Sequence, residues 1–248
     1  MSVFMDLNLS YTNDKSRMQS LIETAAHRES LSVPVPTPIK DLMEKLPIVQ
    51  GRCRPIRVLN RLTVVMSEQC HFVSFSAYDL LAVQPATEKL FHVACFTLDV
   101  DIICISVTEK RPFIIKRSPV NGAVERGIMF EVSYSAAIRD STMRRYTIAN
   151  AVSLVETCKG KNLILSSAAE KPLELRGPYD ISNLGLLFGL SDGDAKEAVS
   201  SACRSVVLHG ETRKTAGGIV HTMKCCSETP DQQEAPPADS KRAKQLTE

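Results

Sequence analysis

Alternating strand and helix patterns predict an α/β protein whose parallel strands are built from βαβ units. Two observations carry this. Leu163 to Leu165 is a short apolar run of the kind that forms a strand buried on both faces, and Val100 to Val107 is almost wholly apolar. Between such runs lie stretches with apolar residues at helical spacing, such as Ile148, Ala151, Val152 and Val155. Periodicity alone leaves a barrel and an open doubly wound sheet both open. A chain of 248 residues, 44% of them hydrophobic, is long enough to bury the core of one such domain.

In chain order, Val3 to Leu9 alternates as a strand, and Asn13 or Asp14 starts a helix carrying Met18, Leu21, Ile22 and Ala25. Glu29 to Pro38, with Pro34, Pro36 and Pro38, reads as an extended linker, and Ile39 to Leu46 as a short helix. Strands follow at Ile56 to Met66 and Tyr78 to Val83, then a helix from Thr87 to Cys95, the strand Val100 to Val107, a short helix from Pro119 to Arg126 and a strand at Ile128 to Tyr134. Asp140 caps a long helix to Cys158, and Gly160 takes the left-handed position behind it. After the strand at Leu163, Asp180 or Ser182 caps a helix, Ser191-Asp192 caps another to about Ala202, and Ser205 to Leu208 reads as a last strand. Pro230, Pro236 and Pro237 among mixed charges mark residues 227–248 as a disordered tail behind a single domain, 1–226.

The chemistry is defined first by what is missing. A net charge of +2 means that any basic site must be local. There is no GxGxxG, GxxxxGK[ST] or GxSxG, and Gly185 and Gly189 read as packing glycines. The eight cysteines form no CxxC pair, and Cys95, Cys104, Cys158 and Cys203 sit in apolar patterns as core thiols. His27, His71, His92, His209 and His221 are isolated, so neither a metal nor another cofactor is expected. No apolar run is long enough to span a membrane, and Asp6 with no basic region argues against a secretory signal. Positive charge does cluster, at Arg139, Arg144 and Arg145, at Lys161, at Arg176, and at Arg213 and Lys214. Arg144 and Arg145 stand at a helix start, which disfavours cations by about 0.3–1 kcal/mol, so phosphate binding competes with a bland Asp140–Arg144 pair.

The runs Leu46-Pro-Ile-Val-Gln-Gly51, Asp140-Ser-Thr-Met-Arg-Arg-Tyr146, Ser166-Ser-Ala-Ala-Glu170, Leu173-Glu-Leu-Arg-Gly-Pro-Tyr179, Leu184-Gly-Leu-Leu-Phe-Gly-Leu190 and His209-Gly-Glu-Thr-Arg-Lys-Thr215 resemble the thirty-kilodalton protein subunit of eukaryotic nuclear ribonuclease P and ribonuclease MRP. The resemblance covers nearly all of residues 1–220. It implies a TIM-like β/α barrel of the type found in PHP phosphoesterases, and a non-catalytic role in particles that remove tRNA 5′ leaders and process ribosomal RNA. The implied partners are the catalytic RNA, a small ferredoxin-like protein subunit and the other holoenzyme proteins. The implied address is the nucleus and its nucleolus, to which Ser240-Lys-Arg-Ala-Lys244 adds a short basic patch.

Two departures from the resemblance shape the expectations. PHP enzymes carry Asp-x-His-x-His, where this chain has Asp6, Asn8 and Ser10, and Ser-Asp-Ala-His, where it has Ser167, Ala168, Ala169 and Glu170. With those ligands degenerate, no catalytic residue is assigned, and a divergent metal-dependent phosphoesterase stands as the alternative. The linker at 29–38 occupies the place of an early strand, so the barrel is expected to be incomplete. RNA contact is expected from Arg139, Arg144, Arg145, Lys161, Arg176, Arg213 and Lys214, because the loops after the strands of a barrel share one rim.

Overall fold

The structure is a computed structural model that describes residues 27–29, 56–66, 77–215 and 218. Among the described residues, six strands lie in the order β1 (His27–Glu29), β2 (Leu59–Met66), β3 (Leu80–Pro85), β4 (Ile102–Cys104), β5 (Met129–Ser133) and β6 (Leu163–Ser166). All five pairings are parallel. The order never reverses, as it would at the switch point of a doubly wound sheet. The sheet therefore winds in one direction, as in a β/α barrel. Glu29, assigned above to the linker, is in β1 beside Arg61 of β2. The rest of the linker, the strand at Val3, the helices at Asn13 and Ile39, and the tail lie outside the described residues, as do Asp6, Asn8 and Ser10.

Strand alternation divides the side chains between two faces. Leu62, Leu81, Val83, Ile103, Phe130, Val132, Leu163 and Leu165 pack outward under the helices α1 (Glu88–Phe96), α2 (Arg117–Glu125) and α4 (Ser141–Cys158). Phe91 of α1 meets Phe130 of β5 at 6.2 Å between ring centroids. Two further helices of this outer layer come late in the chain, α5 (Pro178–Leu187) and α6 (Asp192–Glu197), while a short α3 (Ser135–Arg139) follows β5. Asp140 caps α4 as expected, its carboxylate accepting from the Thr142 and Met143 amides. Behind α4, Lys159 takes the left-handed cap at φ 57°, with Gly160 following at φ 74°. Cys95, Cys104, Cys158 and Cys203 are all buried free thiols, and burial pushes Cys95 and Cys158 up to about 12.

Four element assignments change, the first being the helix expected from Ser191-Asp192 to about Ala202, which ends at Glu197. The strand expected from Val100 to Val107 contracts to Ile102–Cys104, and beyond it the Asn150 amide donates to the Val107 and Glu109 carbonyls. Helix α5 begins at Pro178 behind Gly177, ahead of Asp180 and Ser182. Proline fits there because the first helical position has no use for an N–H. The last strand, Ser205 to Leu208, is instead part of a helix, α7 (Ser201–Lys214). Its buried residues Cys203, Val206 and Gly210 follow helical spacing.

Helix α7 covers the inner face of the sheet, where Cys203 and Val206 join Leu59, Leu80, Ala82, Ile102, Met129 and Ile164. The approach is close at Gly210, where a Cβ would stand 2.5 Å from the Asp79 carbonyl oxygen. Gly210→Ala is therefore expected to cost about 1–3 kcal/mol, since the helix must move off β3 to make room. A denaturant midpoint equal to that of the parent chain would show that α7 can shift freely.

Candidate nucleic-acid interface

The connections leaving β5 and β6 meet at the carboxyl ends of the strands. The Ser135 hydroxyl of α3 donates to the Ala168 carbonyl at 2.9 Å, and the Arg176 amide donates to the Tyr134 hydroxyl at 3.3 Å. Glu174, buried in a 3₁₀ turn (Pro172–Glu174), accepts from the Glu170 amide at 2.8 Å. Arg139 bridges the two connections, reaching Glu170 at 2.7 Å, Glu174 at 3.6 Å and the Ser135 hydroxyl at 3.2 Å. These bonds fix the frame on which the neighbouring arginines stand.

Arg144, Arg145 and Arg176 are exposed on this frame. Arg144 donates through Nε to the Ala137 carbonyl, and Arg176 donates through Nη1 to the carbonyls of Leu173 and Leu175. Backbone carbonyls orient both guanidinium groups without neutralising them. Arginine in that state suits phosphate, whose oxygens take two parallel N–H donors at once. Arg139 differs because two carboxylates already balance its charge.

The other expected contacts lie elsewhere. Lys161 is exposed just ahead of β6, at the amino end of the strands. Arg213 leaves only 7% of its side chain exposed and donates to both oxygens of Asp101, with Nη2 at 3.0 Å. Lys214 pairs with Asp79 at 2.6 Å. Asp79 and Asp101 precede β3 and β4, so these cations bind the barrel floor, opposite the rim of Arg144 and Arg176. The seven basic residues thus do not share one rim. His209 also belongs to the floor: its Nδ1 lies 2.7 Å from Asp101 Oδ1, so it is not isolated. That hydrogen bond raises its pKa above the usual value; burial opposes the shift, and the charges of Asp101 and Asp99 add to it.

At the centre of the mouth, sequence reasoning missed a buried ion pair. Arg61, 1% exposed, meets both carboxylate oxygens of Glu131, 2% exposed, at 2.6 Å each. Arg61 Nε donates to Thr63, Nη2 to the Cys104 sulfur, and the Cys104 thiol to Glu131 Oε2. Burial alone would raise the Glu131 pKa, but the Arg61 charge and these hydrogen bonds outweigh it and hold the carboxyl below the usual range. A cavity of about 290 Å³ opens above the pair, lined by Thr63, Gln84, Ser106, Ser133 and Ala168 among others. The described residues here do not fit a cation. Both Glu131 oxygens face a guanidinium, Ala168 offers no donor, and Glu170 is drawn to Arg139. The signal in the sequence was the alternation Leu59-x-Arg61-x-Thr63, which puts Arg61 on the inner face.

A family model described as RNase P subunit p30 matches residues 3–215. The chain belongs to this family. It is 53% identical to the mouse (Mus musculus) ribonuclease P protein subunit p30, over 90% of this chain and 92% of that protein. It is 36% identical to a probable ribonuclease P protein subunit 3 of Schizosaccharomyces pombe, over 64% of this chain and 69% of that one. Among solved structures, a chain from archaeal ribonuclease P with mature tRNA matches with a TM-score of 0.60 at 12% identity. That match covers 88% of this chain and 98% of the archaeal one, and it supports the barrel-type fold. In this p30-family chain, Asp140-Ser-Thr-Met-Arg-Arg-Tyr146 supplies one side of the arginine rim, and Leu173-Glu-Leu-Arg-Gly-Pro-Tyr179 supplies the other.

Proposed function

We propose that the chain is a non-catalytic protein subunit of ribonuclease P and ribonuclease MRP, supporting tRNA 5′-leader removal and ribosomal RNA processing by scaffolding and by holding RNA phosphates. The observation that carries this reading is family membership along almost the whole chain. A role without catalysis is supported by the barrel mouth, where a guanidinium occupies both oxygens of Glu131. The partners are the particle's catalytic RNA, a small ferredoxin-like protein subunit and the other proteins of the holoenzyme, and the place is the nucleus. Recovering the tagged chain from nuclear extract and probing for ribonuclease P RNA tests the reading, and a chain that never brings down that RNA refutes it.

Within this reading, RNA lies across Arg144, Arg145 and Arg176. Changing all three to alanine is expected to weaken RNA binding irrespective of sequence. For every phosphate that an arginine no longer holds, the plot of log affinity against log salt flattens by about 0.7–0.9 units. Stability is expected to fall by only about 0.5–1 kcal/mol at each of Arg144 and Arg176, the worth of their hydrogen bonds to carbonyls. RNA affinity at several salt concentrations, with the protein partner present, measures the slope. A folded triple variant with the parental slope would remove these arginines from the RNA surface.

A further inference from the structure

The first six residues of α4, Ser141 to Tyr146, are all exposed, and burial starts only at Thr147. The helix therefore begins clear of the core, at the end where the connections leaving β5 and β6 meet. Two large side chains stand with the arginines on this free turn, Met143 at 41% exposed and Tyr146 at 39%. Met143, Tyr146 and Asn150 share one face at helical spacing. One turn below Tyr146, the Asn150 amide donates to the Val107 carbonyl at 3.0 Å and the Glu109 carbonyl at 2.8 Å. Val107 and Thr108 line the cavity above Arg61 and Glu131. Ser133 and Ala168 line it too, and they adjoin the bonds from Ser135 to Ala168 and from Arg176 to Tyr134 that fix the arginine frame. This register puts Tyr146 at the lip of the barrel mouth, between the arginine rim and the cavity.

The cavity selects a neutral ligand with a polar edge. Its two charged groups, Arg61 and Glu131, neutralise each other and offer no net charge to an anion or a cation. The other polar groups are the Gln84 amide and the hydroxyls of Thr63, Ser106, Thr108 and Ser133, set among Val65, Ile105 and Val107. A side-chain amide both donates and accepts, as the edge of a nucleobase does. At about 290 Å³ the cavity lies at the small end of ligand pockets, which run to about 300–1,000 Å³, and this suits a single base. Unpaired RNA bases are read by this combination, stacked on aromatic rings and hydrogen-bonded along their edges. In single-strand sites the rings carry the bases while cations track the phosphates. Among the described residues neither Arg144 nor Arg145 pairs with a carboxylate. A protein segment in the mouth would leave that charge unused, whereas RNA uses it.

We propose that the barrel mouth takes one unpaired nucleobase of RNA, stacked on Tyr146 and hydrogen-bonded to Gln84 and the hydroxyls around it, while Arg144 and Arg145 hold the neighbouring phosphates. The proposal rests on the ribonuclease P reading and deepens it: an unpaired nucleotide is captured, where a duplex would meet only the arginines.

The test uses the particle purified through the tagged full-length chain, with either Tyr146 or Tyr146→Ala. Dimethyl sulfate and a carbodiimide, which modify the base-pairing edges of unpaired nucleotides, are applied to its RNA. An unpaired nucleotide protected in the parent particle and reactive in the variant is the expected result. Identical reactivity in the two particles would overturn the proposal. Loss of another protein subunit from the variant with unchanged RNA reactivity would overturn it as well, by making the mouth a protein site. Absence of ribonuclease P RNA from the parent particle would instead defeat the functional reading itself. RNA affinity, with the protein partner present, gives a second readout. Tyr146→Ala, and separately Gln84→Ala with Ser106→Ala, are expected to weaken binding about tenfold at the parental salt slope, because a base contact releases no counterion. Tyr146→Phe should bind as the parent does, since the ring carries the stack. Tyr146 is exposed, so its variants keep the fold. Parental affinity in Tyr146→Ala, or an equal loss in Tyr146→Phe, would overturn the proposal.

Discussion

Replacing Arg61 by methionine is expected to lower stability by about 3–5 kcal/mol, because it leaves the Glu131 carboxylate buried without its partner. Removing both charges, with Arg61→Met and Glu131→Leu together, should recover most of that loss, since an apolar pair of similar volume carries no desolvation penalty. Denaturant melts of the two single variants and the double variant measure the coupling. Additive losses would mean that the pair contributes little as a unit. The same pair sets an acid limit. Glu131 has a lowered pKa in the folded chain, so its contribution is present above the unfolded carboxylate value of about 4.3. It is lost as pH falls through the lower folded value. Glu131→Gln should remove that part of the acid sensitivity.

Asp101→Ala is expected to have a comparable effect, about 3–5 kcal/mol. Asp101 is fully buried and accepts from the Leu81 amide at 2.8 Å, from His209 at 2.7 Å and from Arg213. Its loss strands a nearly buried guanidinium and a strand amide at once. The His209 contact adds a pH signature. Because folding raises the His209 pKa, this contact stabilises fully below the unfolded histidine value of about 6.5. The contribution is lost as pH rises through the folded value. Stability measured from pH 5 to 9 should show this decline in the parent chain and not in Asp101→Asn. A parental decline in Asp101→Asn would assign the titration to another group.

Local signals made much of the fold legible. Asp140 announces α4, and Ser191 announces α6, because a side-chain oxygen three residues or fewer from an uncovered amide needs no tertiary context. Short buried strands were legible as apolar runs. The failure at Ser205–Leu208 has a physical cause: Val206 and Val207 favour a strand by type, but packing on the inner face selects a helix. The site divides in the same way. Arg144 and Arg176 stood out as basic residues at a helix start and in a loop, but only the fold shows that backbone carbonyls hold them. Arg213 looked equivalent until the fold supplied Asp101, 112 residues away. The Arg61–Glu131 pair spans 70 residues and joins two strands with another pair between them, a meeting that neither local pattern encodes.

Helix α7 also sets the order in which the molecule can be completed. Its ties to the barrel floor run from Glu211 to Arg57, from Arg213 to Asp101 and from Lys214 to Asp79, across 154, 112 and 135 residues. During synthesis the earlier strands can pair with one another as they emerge, but these three ties must wait for residues 211–214 to leave the ribosome. Until then Leu80, Ala82 and Ile102 lack the cover that α7 gives them. A nascent chain of this kind carries an unfinished apolar surface through most of its translation, and that interval is when chaperones would find it most exposed.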